Sequence, residues 1–302
     1  RDEILGRDVA LKVLLASPEY RLDLVRRFIR ESKIAAQLQH PGIPSVYELG
    51  WLSDGRPFLA MKLIHGKMLS EILASGRIDR AALLATFEQL CQTVAYAHAQ
   101  NIIHRDLKPA NVMIGPYGEV QLVDWGLARG LGEPPSSEEE LPESPSPSPT
   151  LTGGISPHSQ VTEPNQFLGT PNYMAPERMR GEAGDRRSDV YSLGAMLHEI
   201  LTGRPPVWSD RLALTRLIPG GTGMEPLQAS GADPLLVELA TRCLSADPQR
   251  RPADASELAQ TMLLHRTRAA EQLRQLEHEN TVRQVRAEES KRRKRLVMIG
   301  AG

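Results

Sequence analysis

The eight residues from 104 to 111 constrain this chain more than any other segment. They read His-Arg-Asp-Leu-Lys-Pro-Ala-Asn, with a helical pattern before them at 79–100 and short strand patterns after them at 112–114 and 120–123. One loop between regular elements therefore holds a carboxylate, an ammonium group and an amide. Polar side chains on a loop held by a rigid scaffold are typical of a catalytic site.

Three polar side chains of this loop suit the transfer of a phosphoryl group. Asp106 can orient an attacking hydroxyl and accept its proton, and Lys108 can neutralise charge on the transferred phosphate. Asn111 offers a neutral oxygen to Mg²⁺ without repelling phosphates. A His-Arg-Asp tripeptide alone is weak evidence, whereas the full string argues strongly against a chance surface loop.

Strand patterns precede helical patterns along the chain. A run rich in Val and Leu predicts a strand at 8–15, and two further short strands are predicted at 45–51 and 57–63. Apolar residues at helical spacing predict helices at 19–39, 79–100, 190–201, 234–244 and 253–264. This order predicts an α+β fold with two lobes.

The composition limits the class of protein. A formal net charge of -1 over 302 residues argues against nucleic acid bound across the whole surface, so no nucleic-acid partner is expected. Aromatic residues make up only 4%, so aliphatic side chains must form the core. Cys91 and Cys243 form no CxxC pair, which predicts buried thiols in a reducing compartment.

From residue 7 to about 264, the motifs resemble those of eukaryotic-type serine/threonine protein kinases, including bacterial receptor-like ones. Val-Ala-Leu-Lys at 9–12 resembles the strand whose lysine, here Lys12, holds the α- and β-phosphates of ATP. Glu31 lies where the family pairs a glutamate with that lysine. The resemblance implies ATP and Mg²⁺ as cofactors and proteins with Ser or Thr as substrates.

Asp-Trp-Gly at 124–126 stands where the family has Asp-Phe-Gly. The resemblance implies that Asp124 binds Mg²⁺ together with Asn111. Trp125 departs from the family's phenylalanine but keeps a large apolar ring. We therefore expect altered packing without loss of the metal ligand.

An adenine pocket is also implied by the resemblance. Met61 takes the gatekeeper position, and Lys62 to Ile64 form the hinge that offers backbone groups to the base. Ala10 and Met113 would sandwich the ring. Because these residues would be equally suited to a plain core, both interpretations predict the same burial.

Scaffold and specificity residues follow from the same likeness. Glu177 is expected to form a buried ion pair with Arg251, and Asp189 to anchor the catalytic loop through backbone amides. Thr170 would hydrogen-bond near Asp106. Tyrosine kinases usually have Pro in its place and another pattern after the catalytic Asp, so serine/threonine specificity is implied.

Regulation by phosphorylation is implied by Arg105, which in such kinases often binds a phosphate on the activation segment. Arg129 and Arg27 fall where the family can add cations to that pocket. The best candidate phosphosite is Thr162, with Thr152 and Ser159 as runners-up.

Residues 131–165 are rich in Pro, Ser and Glu and lack an apolar period, which predicts disorder. Two interpretations stay open: a tolerated insertion, or a segment that is phosphorylated at its Ser-Pro steps or docks a partner.

The family's Gly-rich loop should precede Lys12, but only eleven residues do so, with Gly6 as the sole glycine. We therefore expect a truncated N-lobe without the first two strands and that loop. Either the chain is a kinase fragment that binds and turns over ATP poorly, or it is a degenerate kinase acting as a binding or scaffold module. Intact Lys12, Asp106, Asn111 and Asp124 favour the first alternative.

Residues 265–295 have a charged helical composition with too few apolar positions for a confident coiled coil. Five basic residues at 291–295 precede an apolar end at 296–302, which predicts a juxtamembrane helix and the start of a membrane span. The kinase would then be cytoplasmic, tethered to the inner face of the plasma membrane by a single-pass helix. A basic helix end with an apolar tail, a nucleic-acid patch, and a dimer stay open.

The predicted fold is thus an α+β, two-lobed protein kinase fold. Its predicted parts are a partial N-lobe at 1–64, a mainly helical C-lobe at 65–264 with the insert at about 131–165, the charged helix at 265–295 and the possible start of a membrane helix at 296–302.

Overall fold

The computed structural model describes residues 1–15, 22–76, 79–130, 171–206 and 225–299. The strands of this part are β1 (Val9–Val13), β2 (Val46–Trp51), β3 (Pro57–Lys62), β4 (Lys67–Met68), β5 (Ile102–Ile103), β6 (Val112–Ile114), β7 (Val120–Leu122) and β8 (Arg129–Gly130). The helices are α1 (Leu22–Gln37), α2 (Leu69–Ser75), α3 (Arg80–Ala99), α4 (Pro176–Met179), α5 (Arg186–Thr202), α6 (Glu225–Gln228), α7 (Pro234–Cys243) and α8 (Ala255–Ile299). Short 3₁₀ turns cover Pro109–Asn111, Pro171–Tyr173 and Pro248–Arg250.

An antiparallel sheet with the strand order β1-β3-β2 forms the N-terminal part. The central strand, β3, buries Phe58, Leu59 and Ala60. Helix α1 packs against β2 and β3. Its buried residues Val25, Phe28 and Ile29 recur at the three- and four-residue spacing of one helix face. Arg26, Arg27 and Lys33 of the same helix are exposed.

Two smaller sheets position the segments that carry chemistry. Strand β6 lies between β4 and β7, and β5 pairs with β8. The loop at 104–111 connects β5 to β6, and residue 124 follows the end of β7. Because β6 and β7 are antiparallel neighbours, with Val112 opposite Leu122, the start of β6 and the end of β7 meet at the same edge.

The C-terminal part is built around α5. Its side chains Tyr191, Leu193 and Met196 are completely buried. Gly194 permits the close approach of α7, since a Cβ at this position would lie 2.4 Å from the Cβ of Cys243. Cys91 and Cys243 are both free and buried, as predicted, and burial raises the pKa of both thiols.

The chain divides into two compact units, Arg1–Ala259 and Gln260–Gly302. In the second unit, α8 runs on as one continuous helix, and Leu273, Leu276 and Val285 are all more than half exposed. Among the helices of the described part, none combines the length and the apolar character that a bilayer span requires. The membrane interpretation of 296–302 stays a prediction.

The predicted elements agree with the structure to within a few residues at most ends. Gly55, in the turn between β2 and β3, has φ 80°. Helix α5 begins at Arg186 and not at residue 190, because Asp185 caps it by accepting a hydrogen bond from the Arg187 N–H. The predicted disordered insert at 131–165 lies outside the described residues, as do Thr152, Ser159, Thr162 and Thr170.

Candidate active site

Asp189 of α5 holds the start of the catalytic loop. Its Oδ2 accepts the backbone N–H of His104 at 2.7 Å and its Oδ1 accepts that of Arg105 at 2.8 Å. Burial alone would raise the pKa of Asp189, but hydrogen bonds from the His98 side chain and from the His104 N–H help to lower it overall. The predicted anchoring of the loop by Asp189 is therefore confirmed.

His98 completes this buried network. Its Nδ1 accepts the N–H of Ala255 at 3.2 Å, so its Nε2 carries the proton and donates to Asp189 Oδ2 at 3.1 Å. The sequence pattern contains no indication of this contact, because residues 98, 189 and 255 lie far apart in the chain. All three are buried.

Asp106 is held by two side chains of its own loop. One oxygen, Oδ2, accepts a hydrogen bond from Lys108 Nζ at 2.7 Å and another from Asn111 Nδ2 at 3.0 Å. Asn111 Nδ2 also donates to the Asp106 carbonyl at 2.7 Å. The nitrogen of the Asn111 amide is thus committed to Asp106, and its carbonyl oxygen is the atom it can offer to a metal ion.

The backbone of this loop is unusual at the residue before Asp106. Arg105 has φ 70°, a left-handed conformation that costs free energy for a residue with a Cβ. The bonds from Asp189 on one side and from His104 Nδ1, which accepts the Asp106 N–H at 3.3 Å, hold this conformation. Burial lowers the pKa of His104, so its imidazole is neutral and acts as an acceptor here.

A second cluster gathers Lys12, Asp124 and Glu31. Lys12 Nζ lies 3.3 Å from Asp124 Oδ1. A Cβ on Gly126 would lie 2.9 Å from Asp124 Oδ1, 3.2 Å from Lys12 Nζ and 3.5 Å from Glu31 Oε2. The absence of a side chain at Gly126 therefore lets three charged groups from β1, α1 and the end of β7 converge.

The charges in this cluster change the pKa of Asp124. Burial would raise the pKa of Asp124, but the neighbouring Lys12 ammonium outweighs burial and lowers it. Asp124 is thus a carboxylate at neutral pH, the form that a divalent cation requires.

Glu31 has a different immediate partner from the predicted one. It accepts from Arg27 Nε at 2.8 Å, one helical turn away, while Lys12 pairs with Asp124. A direct Lys12–Glu31 ion pair is not among those formed by the described residues. Burial raises the pKa of Glu31 despite these cations, and the pairing with Lys12 stays a prediction.

Trp125 is buried, with 6% of its surface exposed. Its indole N–H donates to the Leu122 carbonyl at 3.0 Å, and its ring meets the His104 ring edge-on with centroids 4.7 Å apart. The large apolar ring is buried; the packing against helix α1 that the family resemblance implies stays a prediction, and the hydrogen bond was not foreseen from the sequence.

The residues predicted for the adenine pocket lie on three strands and one loop. Ala10 of β1 stands directly opposite Met61 of β3, and Lys62 ends that strand. Ile64 lies in the connection to β4, and Met113 lies on β6. Ala10, Met61, Ile64 and Met113 are partly exposed, so they are not sealed into the core, and their contact with a nucleotide stays a prediction.

Glu177 and Arg251 form the predicted buried ion pair. Arg251 Nη1 and Nη2 donate to the two carboxylate oxygens at 2.7 Å and 2.9 Å, and Ser188 Oγ donates to Oε1 at 2.7 Å. Burial would raise the pKa of Glu177, but Arg251 lowers it overall. This pair ties α4 to the start of α5 and to the turn at 248–250.

A cationic cluster surrounds Arg105. Burial and the charges of Arg178, Arg129 and Arg30 lower the pKa of Arg105 to about 10. Arg30 of α1 stands in this cluster, whereas Arg27, one of the two residues predicted to join it, pairs with Glu31. Arg178 was not singled out from the sequence because it follows the activation segment by only a few residues and has no motif of its own.

The donor set fits a magnesium nucleotide. No group of three or more His, Cys, Asp and Glu side chains within the described ranges could hold a metal ion by itself. Asp124 and Asn111 offer two oxygens, which suits Mg²⁺, since this ion usually takes one or two protein ligands and completes its shell with phosphates and water. Lys12 is the cation that the sequence predicts for the phosphates.

Residues 3–267 match the model of a family described as "Protein kinase domain". The chain belongs to the protein kinase family, so the predicted family and its α+β fold are confirmed.

Three relatives carry kinase names. Serine/threonine-protein kinase PknD of Chlamydia felis is 34% identical over 282 residues, which cover 87% of this chain and 29% of the relative. PknB of Mycolicibacterium smegmatis is 34% identical over 264 residues, 85% of this chain and 39% of the relative. PknB of Mycobacterium tuberculosis is 36% identical over 214 residues, 70% of this chain and 30% of the relative. The chain therefore spans less than half the length of these curated relatives, and the alternative of a binding or scaffold module receives no support from them.

Proposed function

We propose that this protein transfers the γ-phosphate of ATP to Ser or Thr of protein substrates. The observation that carries the proposal is the convergence of Lys108 Nζ and Asn111 Nδ2 on one oxygen of Asp106, at 2.7 Å and 3.0 Å. Both contacts orient that carboxylate, and orientation with electrostatic stabilisation is most of what an enzyme contributes to phosphoryl transfer.

In this proposal Asp106 aligns the substrate hydroxyl and accepts its proton. Lys108 lies beside it and balances the charge that builds up on the phosphate oxygens. Asn111 and Asp124 would hold Mg²⁺, which would neutralise charge on the phosphates.

Lys12 and Glu31 bind the nucleotide in this proposal. Lys12 would hold the α- and β-phosphates, and Glu31, whose carboxylate lies beside Gly126 as Lys12 Nζ does, would help to position Lys12. Ala10, Met61, Lys62, Ile64 and Met113 enclose the adenine. The partial exposure of Ala10 and Met113 leaves apolar surface for the ring to cover.

The acceptor residue can be tested directly. A generic protein substrate is incubated with the protein, ATP and Mg²⁺, and the phosphorylated residues are mapped by mass spectrometry. We expect phosphate on Ser and Thr, and none without Mg²⁺. Phosphate on Tyr alone would contradict the proposed specificity.

We further propose that a phosphate on the activation segment, first of all on Thr162, activates the protein. The support is the cluster of Arg30, Arg105 and Arg178, whose mutual repulsion a phosphate would relieve. After incubation with ATP, we expect phosphate at Thr162, and Thr162→Ala should lower activity more than Ser159→Ala. A fully active protein without phosphate in this segment would contradict this regulation.

For its location, we propose a cytoplasmic kinase tethered to the inner face of the plasma membrane by a single-pass helix. The five basic residues at 291–295 before apolar residues support this orientation. Fractionation of cells that express the protein should place it with membranes after a high-salt wash. A dimer is compatible with the exposed apolar residues of α8 and would be detected by light scattering.

A further inference from the structure

The side chain of Trp125 makes a contact that the family's phenylalanine lacks the atoms to make. The indole N–H donates to the carbonyl oxygen of Leu122, the last residue of β7, at 3.0 Å. Both residues are buried, so water does not compete for this bond. A buried donor without its acceptor would cost free energy, and the bond therefore ties the ring to the end of β7.

The hydrogen bond from Trp125 to Leu122 spans Asp124, whose backbone conformation has to be held by its surroundings. Asp124 lies between Leu122 and Trp125 and has φ 60°, a conformation that a residue with a Cβ rarely adopts. A second bond, from the Ala128 N–H to the Trp125 carbonyl at 3.0 Å, closes the turn on the other side. Strained backbone persists where surrounding contacts over-determine it; the first bond spans the strained residue and the second closes the turn that follows it.

The loop at 104–111 also contacts the indole ring of Trp125. His104, at the start of the catalytic loop, packs its ring against Trp125 with centroids 4.7 Å apart and an interplanar angle of 63°. His104 Nδ1 in turn accepts the N–H of Asp106 at 3.3 Å. Trp125 therefore stands between the turn that carries Asp124 and the loop that carries Asp106.

We propose that Trp125 is a positioning residue that holds Asp124 toward Lys12 before nucleotide arrives, through the hydrogen bond from its indole to Leu122. The direction of Asp124 in the structure agrees with this, since its Oδ1 lies 3.3 Å from Lys12 Nζ. The inference deepens the proposed function and rests on it in one respect, namely that Asp124 binds the metal ion.

Trp125→Phe tests the bond, because it keeps an aromatic ring and removes only the N–H with part of the ring. Trp51→Phe, at the end of β2 and outside the site, is the matched control. Hydrogen exchange is measured on the ligand-free proteins. We expect the amides of 124–128 to exchange roughly 2- to 10-fold faster in Trp125→Phe, the range that one lost hydrogen bond gives, with α5 unchanged.

Two exchange results would overturn the inference. One is unchanged exchange at 124–128 in Trp125→Phe. The other is acceleration there only in step with α5, which would mean a general loss of stability. Because no nucleotide or substrate is present, neither result depends on whether the protein proves to be a kinase.

A second readout concerns the metal ion. In Trp125→Phe we expect the Mg²⁺ concentration that half-saturates ATP binding to rise roughly 2- to 10-fold, with kcat at saturating Mg²⁺ unchanged. A lower kcat at an unchanged Mg²⁺ requirement would contradict a positioning role. If Asp106→Asn leaves phosphate transfer intact, the proposed function is wrong. The exchange measurement at 124–128 would still test the role of the indole hydrogen bond independently.

Discussion

Lys108 and Asp106 are two residues apart, and their side chains meet at 2.7 Å in a partly buried site. A cation in this position does not simply pair with the carboxylate. In the proposed function it would also balance charge on the transferred phosphate, and a preorganised charge there stabilises the transition state more than the ground state.

Lys108→Met should therefore lower kcat by about 100- to 1000-fold, the usual effect of removing one stabilising donor. The dissociation constant for MgATP should be unchanged, because Lys12 and the metal ligands remain. Steady-state kinetics and a binding titration measure the two quantities. Lys67→Met, an exposed lysine on β4, is the control, and an unchanged kcat in Lys108→Met would count against the assigned role.

At this scale the sequence predicted residue identities better than contacts. Asp106, Lys108 and Asn111 were predicted together and lie together, because a short loop leaves their side chains little choice. Glu31 was predicted beside Lys12, yet its nearest cation is Arg27, one helical turn away, since an i,i+4 partner is always within reach. The hydrogen bond from the Trp125 indole was not predicted, because every residue has a backbone carbonyl and the sequence does not indicate which one accepts a given bond.

Helix α5 is the element on which the catalytic loop depends. It provides Asp189 for the loop backbone and Ser188 for the Glu177–Arg251 pair. Glu177 and Arg251 are 5% and 3% exposed, so each charge is removed from water and is balanced by the other. Breaking one partner of such a pair leaves an uncompensated buried charge.

Arg251→Met should destabilise the protein by about 3–5 kcal/mol at neutral pH, measured as the free energy of unfolding in urea. Arg250→Met, at the exposed neighbouring position, should have little effect. A loss of stability equal in the two variants would contradict the importance of the buried pair.

The stability contributed by the Glu177–Arg251 pair depends on pH in a defined direction. Arg251 lowers the pKa of Glu177 below its usual value of 4.5. The pair's contribution to stability is therefore complete above that value and is lost as pH falls through the lowered pKa. In Arg251→Met, burial alone should raise the pKa of Glu177, so the defect should shrink on acidification toward pH 4.5.

Element positions followed from apolar spacing, whereas element ends followed from caps that the pattern does not reveal. The helix predicted at 79–100 is found as α3 from Arg80 to Ala99, with Asp79 as its cap. Two-residue strands such as β5 and β8 were missed, because so short a run has no period. They exist because the neighbouring chain satisfies their backbone groups.

Over the whole molecule, burial is distributed unevenly. The unit Arg1–Ala259 contains completely buried helical residues such as Tyr191 and Leu197, whereas α8 beyond residue 262 exposes Leu273, Leu276 and Val285. A solvated helix gains little from burial and is marginal in water. Its charged composition was predicted from the sequence, but its continuity as one 45-residue helix was not.

The rate of amide hydrogen exchange should therefore differ between α5 and the exposed part of α8. We expect the amides of 266–289 to exchange much faster than those of α5, because local opening there exposes almost no new apolar surface. Mass spectrometry of peptides from both segments measures the difference. Protection at 266–289 equal to that of α5 would mean that a partner covers this helix in solution.

The most direct test of the proposed function compares phosphate transfer by the wild-type protein and by Asp106→Asn, with MgATP binding measured alongside. We predict that kcat falls by more than about 100-fold, as expected for loss of a general base, while the dissociation constant for MgATP does not change. Transfer at the wild-type rate by Asp106→Asn would contradict the catalytic role of Asp106 and the proposed function that rests on it.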